Sequence, residues 1–200
     1  MHDTSGQAHP YWYEWYVGLI EVIKLLNPDE GIEAVAFQVA SIQGWDDVVV
    51  KHTRGKCFYQ VKHTREKNNL TFGSLVEVDE NGHSLLGSLF EGAKNCGLID
   101  SRNNLVLYTN RKDGAQWSKR KNGDPRPPLF EFWDWLKPEI VNQKLDNILV
   151  PLKYAAGWDE LKACFNGAWD EATEFLRQLQ IRTQEDDLAD LESRIRKELA

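Results

Sequence analysis

Two adjacent acids in front of a run of valines constrain this chain most. Asp46 and Asp47 lead directly into Val48-Val49-Val50, and a carboxylate at the mouth of a buried strand is costly to desolvate unless another group pairs with it. A partner stands close in sequence. Gly55-Lys56 supplies a turn, and Cys57-Phe58-Tyr59-Gln60-Val61-Lys62 reads as the next strand, joined to the first as a hairpin because the connection is short. Side chains alternate along a strand, so Gln60 and Lys62 share one face and Val61 takes the other. The start of one hairpin strand lies beside the end of its neighbour, which predicts that Asp47 meets Gln60 and Lys62. A half-exposed strand also carries polar residues at alternate positions without any chemistry; the acid in front of the valines is what favours a site. A carboxylate, an amide oxygen and an ammonium together suit phosphodiester cleavage. Hard oxygens hold Mg2+, the metal activates water, and a cation offsets charge developing on the phosphate.

Periodicity places the elements around this hairpin. Pro10 opens a helix over residues 11–26, where Trp12, Trp15, Tyr16, Leu19, Ile20, Ile23 and Leu26 recur at helical spacing. Glu14, Gly18 and Glu21 fall on its other face. Residues 32–40 read as a strand, 84–94 as a helix and 105–109 as a further strand. The order helix, three strands, helix, strand suits an α/β sandwich. Residues 113–128, rich in Lys, Arg, Gly and Pro, are predicted as an exposed, mobile loop. Helices are expected over 129–136 and 158–179, and a last one carries Leu188, Leu191, Ile195 and Leu199. Trp12, Trp15, Trp133 and Trp169 sit on apolar stripes and are assigned to the core. The expected division is an α/β core over 1–155 and a helical extension over 156–200. Because the chain stops inside an amphipathic helix, it reads as a domain cut from a longer protein, with the extension leading to a sensor or oligomerisation module.

No stretch reaches the roughly 20 apolar residues of a bilayer-spanning helix, and no basic-then-apolar leader opens the chain, so a cytoplasmic protein is expected. Cys57, Cys96 and Cys164 are far apart and form no Cys-x-x-Cys pair, which argues against a disulfide framework or a zinc site. The five histidines show no ligand spacing, and only His63, directly after Lys62, is placed to approach a phosphate. Gly-rich phosphate loops are absent. A net charge of −7 taken alone argues against a polyanionic partner. Its distribution argues the other way: residues 51–67 carry +5 and residues 111–126 carry +4, enough to focus a local positive field.

Gly44-Trp45-Asp46-Asp47-Val48-Val49-Val50 followed by Phe58-Tyr59-Gln60-Val61-Lys62-His63-Thr64 resembles the Asp…Gln-x-Lys variant of the PD-(D/E)XK nuclease signature. More narrowly, the chain is similar to the dsDNA endonuclease domain of CD-NTase-associated effectors and to the N-terminal nuclease of STAND-NTPase antiviral sensors, the AVAST group. Tyr13-Glu14-Trp15-Tyr16 is similar to that family's first helix, and residues 174–199 to its helical end. The resemblance implies a restriction-endonuclease-like sandwich, a central mixed sheet flanked by helices, with a helical C-terminal extension. It also implies a metal-dependent double-stranded DNA endonuclease of little sequence specificity, using Mg2+ with Mn2+ as a substitute. Such a domain is the effector arm of bacterial antiphage defence, a homo-oligomer when activated through attached sensor domains.

By the same resemblance, Asp47 takes the metal-binding aspartate position, Gln60 the Glu/Asp/Gln position, Lys62 the lysine, and Glu14 the acid of the first helix. Asp47, Gln60 and Glu14 would hold the metal, while Lys62, His63, Arg65, Lys119, Arg120 and Lys121 would contact DNA. Two departures stand out. Gln60 is neutral, so a second carboxylate is needed from Glu14, Asp46 or Glu21, of which Glu14 is the choice. Gln43 stands where relatives are expected to carry Glu. The competing reading is a catalytically inactive module serving in DNA binding or oligomeric assembly.

Overall fold

The computed structural model of the protein describes residues 5–64, 68–120, 123–183 and 188–199. Its contacts form two compact units interleaved along the chain. The first comprises Met1–Asn68, Ser101–Arg111 and Leu179–Ala200, and the second Asn69–Asp100 and Lys112–Gln178.

The first unit is built on a five-stranded sheet: β1 (Ile32–Phe37), β2 (Val48–His52), β3 (Gly55–Lys62), β4 (Asn104–Thr109) and β7 (Leu179–Arg182), in the spatial order β1-β2-β3-β4-β7. The first three strands are antiparallel neighbours, whereas β3–β4 and β4–β7 are parallel. A mixed α/β sheet is therefore what the fold shows. Phe58, Tyr59, Val61, Leu105, Val106 and Leu107 are all buried, as expected for interior strands with parallel partners. β7 begins at Leu179, the last residue of the helix expected over 158–179, and continues over three residues to which the sequence assigns no element. Four residues are too few for a period of two to register against the helical pattern just before them.

Helix α1 (Ser5–Leu25) begins ahead of Pro10, so that proline lies within it and does not open it. Its buried face carries Tyr13, Val17 and Ile20. With Leu191 and Ile195 of α7 (Leu188–Glu198), this face packs on Val48, Val50, Cys57, Tyr59, Val61, Val106 and Tyr108. The expected orientation of α1 is thereby corrected: Trp12 is 53 % and Leu26 73 % exposed, while Gly18 and Glu21 are buried. Gly18 is the reason. A Cβ there would run into the Phe37 ring, so only glycine lets the helix close on β1. Trp15 stacks on the same Phe37 ring, with centroids 4.6 Å apart. A helix that is apolar on most faces does not reveal by period alone which stripe goes inward.

The second unit is mostly helical: α2 (Phe72–Val76), α3 (Leu85–Asn95), α4 (Leu129–Asn142), α5 (Ala155–Ala163) and α6 (Trp169–Gln178). Ser84 caps α3 by accepting the Gly87 N–H at 3.0 Å. Phe90 meets Phe165 and Phe175 edge-on at 5.1 and 5.5 Å. The single helix expected over 158–179 is interrupted where Asn166 and Gly167 adopt positive φ. Residues 113–128 depart from the predicted open loop. They include the short pair β5 (Ser118–Lys119) and β6 (Pro125–Arg126), and buried Arg126 grips Glu160 at 2.8–3.2 Å and Glu77 at 3.1 Å. Among the described residues, no helix is long and apolar enough to cross a membrane.

Candidate active site

The β2–β3 register sets the centre of the site. Val48 pairs with Tyr59, so Asp47, one residue earlier, comes opposite Gln60. The Gln60 side-chain amide donates to Asp47 Oδ2, and the Val61 backbone N–H donates to the same oxygen at 2.6 Å. Both side chains are buried. Hydrogen bonds to a charged group contribute about 1.5–3 kcal/mol each, less than the cost of taking a carboxylate out of water. Burial accordingly prevails and pushes the Asp47 carboxyl up to about 6, against the Val61 hydrogen bond and the Lys62 charge, with Asp46 adding to the rise. Lys62 ends β3 with its side chain exposed.

Glu14 reaches this centre from α1. Its Oε2 accepts the Gln38 side-chain N–H at 2.7 Å. Burial and the Asp47 charge push its carboxyl up to about 7, while Gln38 and Lys62 pull it down and Asp46 raises it further. The Asp47 charge thus acts on Glu14, and the Lys62 charge acts on both carboxyls. Gln38 was not legible in the sequence. It follows β1 with φ of 48°, a left-handed conformation in which glutamine carries no sequence signal.

The other expected residues distribute as follows. Glu21 is buried but ion-paired to Lys24 at 2.7 Å, in a cavity it shares with Cys57, Tyr59 and Arg182; it does not join Asp47. Asp46 acts on the centre through its charge. His63 lies against Tyr13, ring centroids 4.6 Å apart, a contact that holds the residue after Lys62 to α1. Asn110 clamps the next residue, accepting the Thr64 N–H at 3.0 Å and donating to the Thr64 carbonyl at 2.9 Å. Lys119 is exposed on β5. Arg120 is engaged by Glu160 at 2.8 Å and Asp124 at 3.5 Å. Both residues belong to the second unit. Arg65 and Lys121 lie outside the described residues.

The donor set decides which metal these residues suit. Among the described residues, no three His, Cys, Asp or Glu side chains are grouped to hold an ion, so one placed here would rest on two carboxylates and an amide oxygen. Gln60 presents its N–H to Asp47, which leaves its carbonyl oxygen as a further hard donor. Mg2+ takes oxygen ligands, commonly one or two carboxylates with several retained waters. Two carboxyls raised by burial, Glu14 further by the Asp47 charge, fit such a cation, whereas the nitrogen and sulfur ligands favoured by zinc are missing from the set.

A family model described as Cap4, dsDNA endonuclease domain, matches residues 5–134. That span is well over half of the chain and contains Glu14, Gln38, Asp47, Gln60 and Lys62, while β7 and α7 lie beyond it. No curated protein matches the chain in a sequence comparison.

Proposed function

Since the chain belongs to the Cap4 dsDNA endonuclease domain family, whose members act as antiphage-defence effectors, we propose that Glu14, Asp47, Gln60 and Lys62 are its active site and that cleavage depends on Mg2+, with Mn2+ able to substitute. The observation that carries this reading is the register placing Asp47 on Gln60, with the Glu14 carboxylate electrostatically coupled to Asp47 and Lys62. The two carboxylates would hold the cation. Gln60 fixes the Asp47 carboxylate through its N–H and turns its carbonyl oxygen to the same task. The metal, when bound, lowers the pKa of water and polarises the phosphate. The Lys62 ammonium steadies the attacking water and offsets charge on the phosphate as it builds.

DNA contact falls to Lys62 and His63 at the centre, and to Arg65, Lys119 and Lys121 along the backbone. Arg120, tied to Glu160, is better placed to brace its own hairpin. Phosphate contacts carry no base information, so little sequence preference follows. Activation by assembly with a sensor module, as a homo-oligomer in the cytoplasm, completes the proposal and rests on the family alone.

The test is calorimetric titration of the purified protein with MgCl2 and MnCl2. Saturable binding that disappears in Asp47→Ala is expected. A wild-type protein that binds neither ion would instead favour a catalytically inactive module serving in DNA binding or assembly.

A further inference from the structure

We propose that Gln38 is a positioning residue that sets the spacing between the two acidic side chains of the site, an inference that rests on the reading above. Gln38 is bonded to both halves of the centre at once. Its backbone N–H donates to the Asp47 carbonyl at 3.0 Å, continuing the ladder past the end of β1, and its side-chain N–H donates to Glu14 Oε2 at 2.7 Å. The next rung, from the Val39 N–H to the Asp46 carbonyl at 2.8 Å, holds the same stretch of backbone in place. One residue thus links the strand that leads into Asp47 to the helix that carries Glu14, across a gap that no other hydrogen bond of the Glu14 side chain spans among the described residues.

The backbone of Gln38 supports the assignment. A φ of 48° is uncommon for a residue with a Cβ and costs on the order of 1–3 kcal/mol. Such conformations persist where surrounding contacts over-determine them, and here they are the two ladder bonds and the bond to Glu14. The preceding residue is Phe37, the ring on which Gly18 and Trp15 close. Gln38 therefore leaves β1 from the point where α1 is pinned, and its side chain meets α1 one turn before Gly18. Two like charges brought together repel, and a neutral amide donor on one of them holds it in place without cancelling charge a cation needs.

Gln38→Gly is the informative variant, because glycine accepts the positive φ and removes only the side chain. Mg2+ and Mn2+ affinities are measured by calorimetry for wild type, Gln38→Gly, Glu14→Ala, the double variant and Asp47→Ala, with a melting curve for each. The expected result is a dissociation constant raised about 10-fold in Gln38→Gly, an unchanged melting temperature, and no further loss when the substitution is added to Glu14→Ala. Wild-type affinity in Gln38→Gly, or an equal loss with Glu14 already absent, overturns the positioning role while Asp47-dependent binding leaves the metal site standing. Absence of binding in wild type, or binding indifferent to Asp47→Ala, overturns the metal site and the role of Gln38 with it.

Discussion

Val61 donates its backbone N–H to Asp47 Oδ2 at 2.6 Å, across fourteen residues of chain. The carboxylate is thus held by the same strand that carries Gln60 and Lys62, so the hairpin register and the site geometry are one feature. Asp47→Ala strands two buried donors, the Val61 amide and the Gln60 side chain, each costing about 1–3 kcal/mol when left without an acceptor. Relief of carboxylate desolvation offsets part of that, so a net loss of about 1–3 kcal/mol in urea unfolding is expected, together with loss of metal binding.

The two raised carboxyls make stability depend on pH in a defined direction. Asp47 moves from 3.8 to about 6 and Glu14 from 4.5 to about 7 on folding, so the folded state binds more protons than the unfolded one between about pH 4 and 7. Their contribution is fully present below the lower values and is lost as pH rises through 6 and 7. A divalent cation competes with those protons. The rise in melting temperature caused by MgCl2 should therefore be small at pH 5 and larger at pH 8, and Glu14→Gln should flatten that dependence. An equal shift at both pH values would contradict the linkage.

Gly18→Ala sets two effects against each other. Helix propensity favours alanine by about 1 kcal/mol, whereas forcing a methyl against the Phe37 ring costs about 1–3 kcal/mol. The clash should win, giving net destabilisation in urea unfolding and weaker metal binding as α1 lifts Glu14 away. Phe37→Leu should recover part of both losses.

Buried Arg126, held by Glu160 and Glu77, predicts a separate weak point in the second unit. Arg126→Ala leaves Glu160 facing Arg120 alone and should lower stability by about 3 kcal/mol. Faster amide hydrogen exchange in α5 and around β6 is the measurement that checks it.

The hairpin and its polar pair were legible because a strand's period of two and a short turn fix which residues face each other. Asp47, Gln60 and Lys62 could be placed from spacing alone. The orientation of α1 could not, because its aromatic residues fall on several faces and the choice is made by a single close approach, Gly18 on Phe37. Resemblance assigns Glu14 to the site while periodicity places it opposite the apolar stripe; the packed helix leaves it partly buried. β7 is not legible in the sequence because four residues after a strongly amphipathic helix carry too little pattern. Gln38 was invisible for a different reason: its role depends on a backbone dihedral, which no residue type announces.

Lys62 is proposed to act at a centre built by Glu14, Asp47 and Gln60. The most direct test of this role is the cleavage of linear and supercoiled double-stranded DNA by wild type and Lys62→Ala, with Mg2+ and with EDTA, alongside melting curves of both proteins. Mg2+-dependent degradation by wild type and none by Lys62→Ala is expected, with the two proteins melting alike. Full degradation by Lys62→Ala, or wild-type activity undiminished by EDTA, would contradict the proposal.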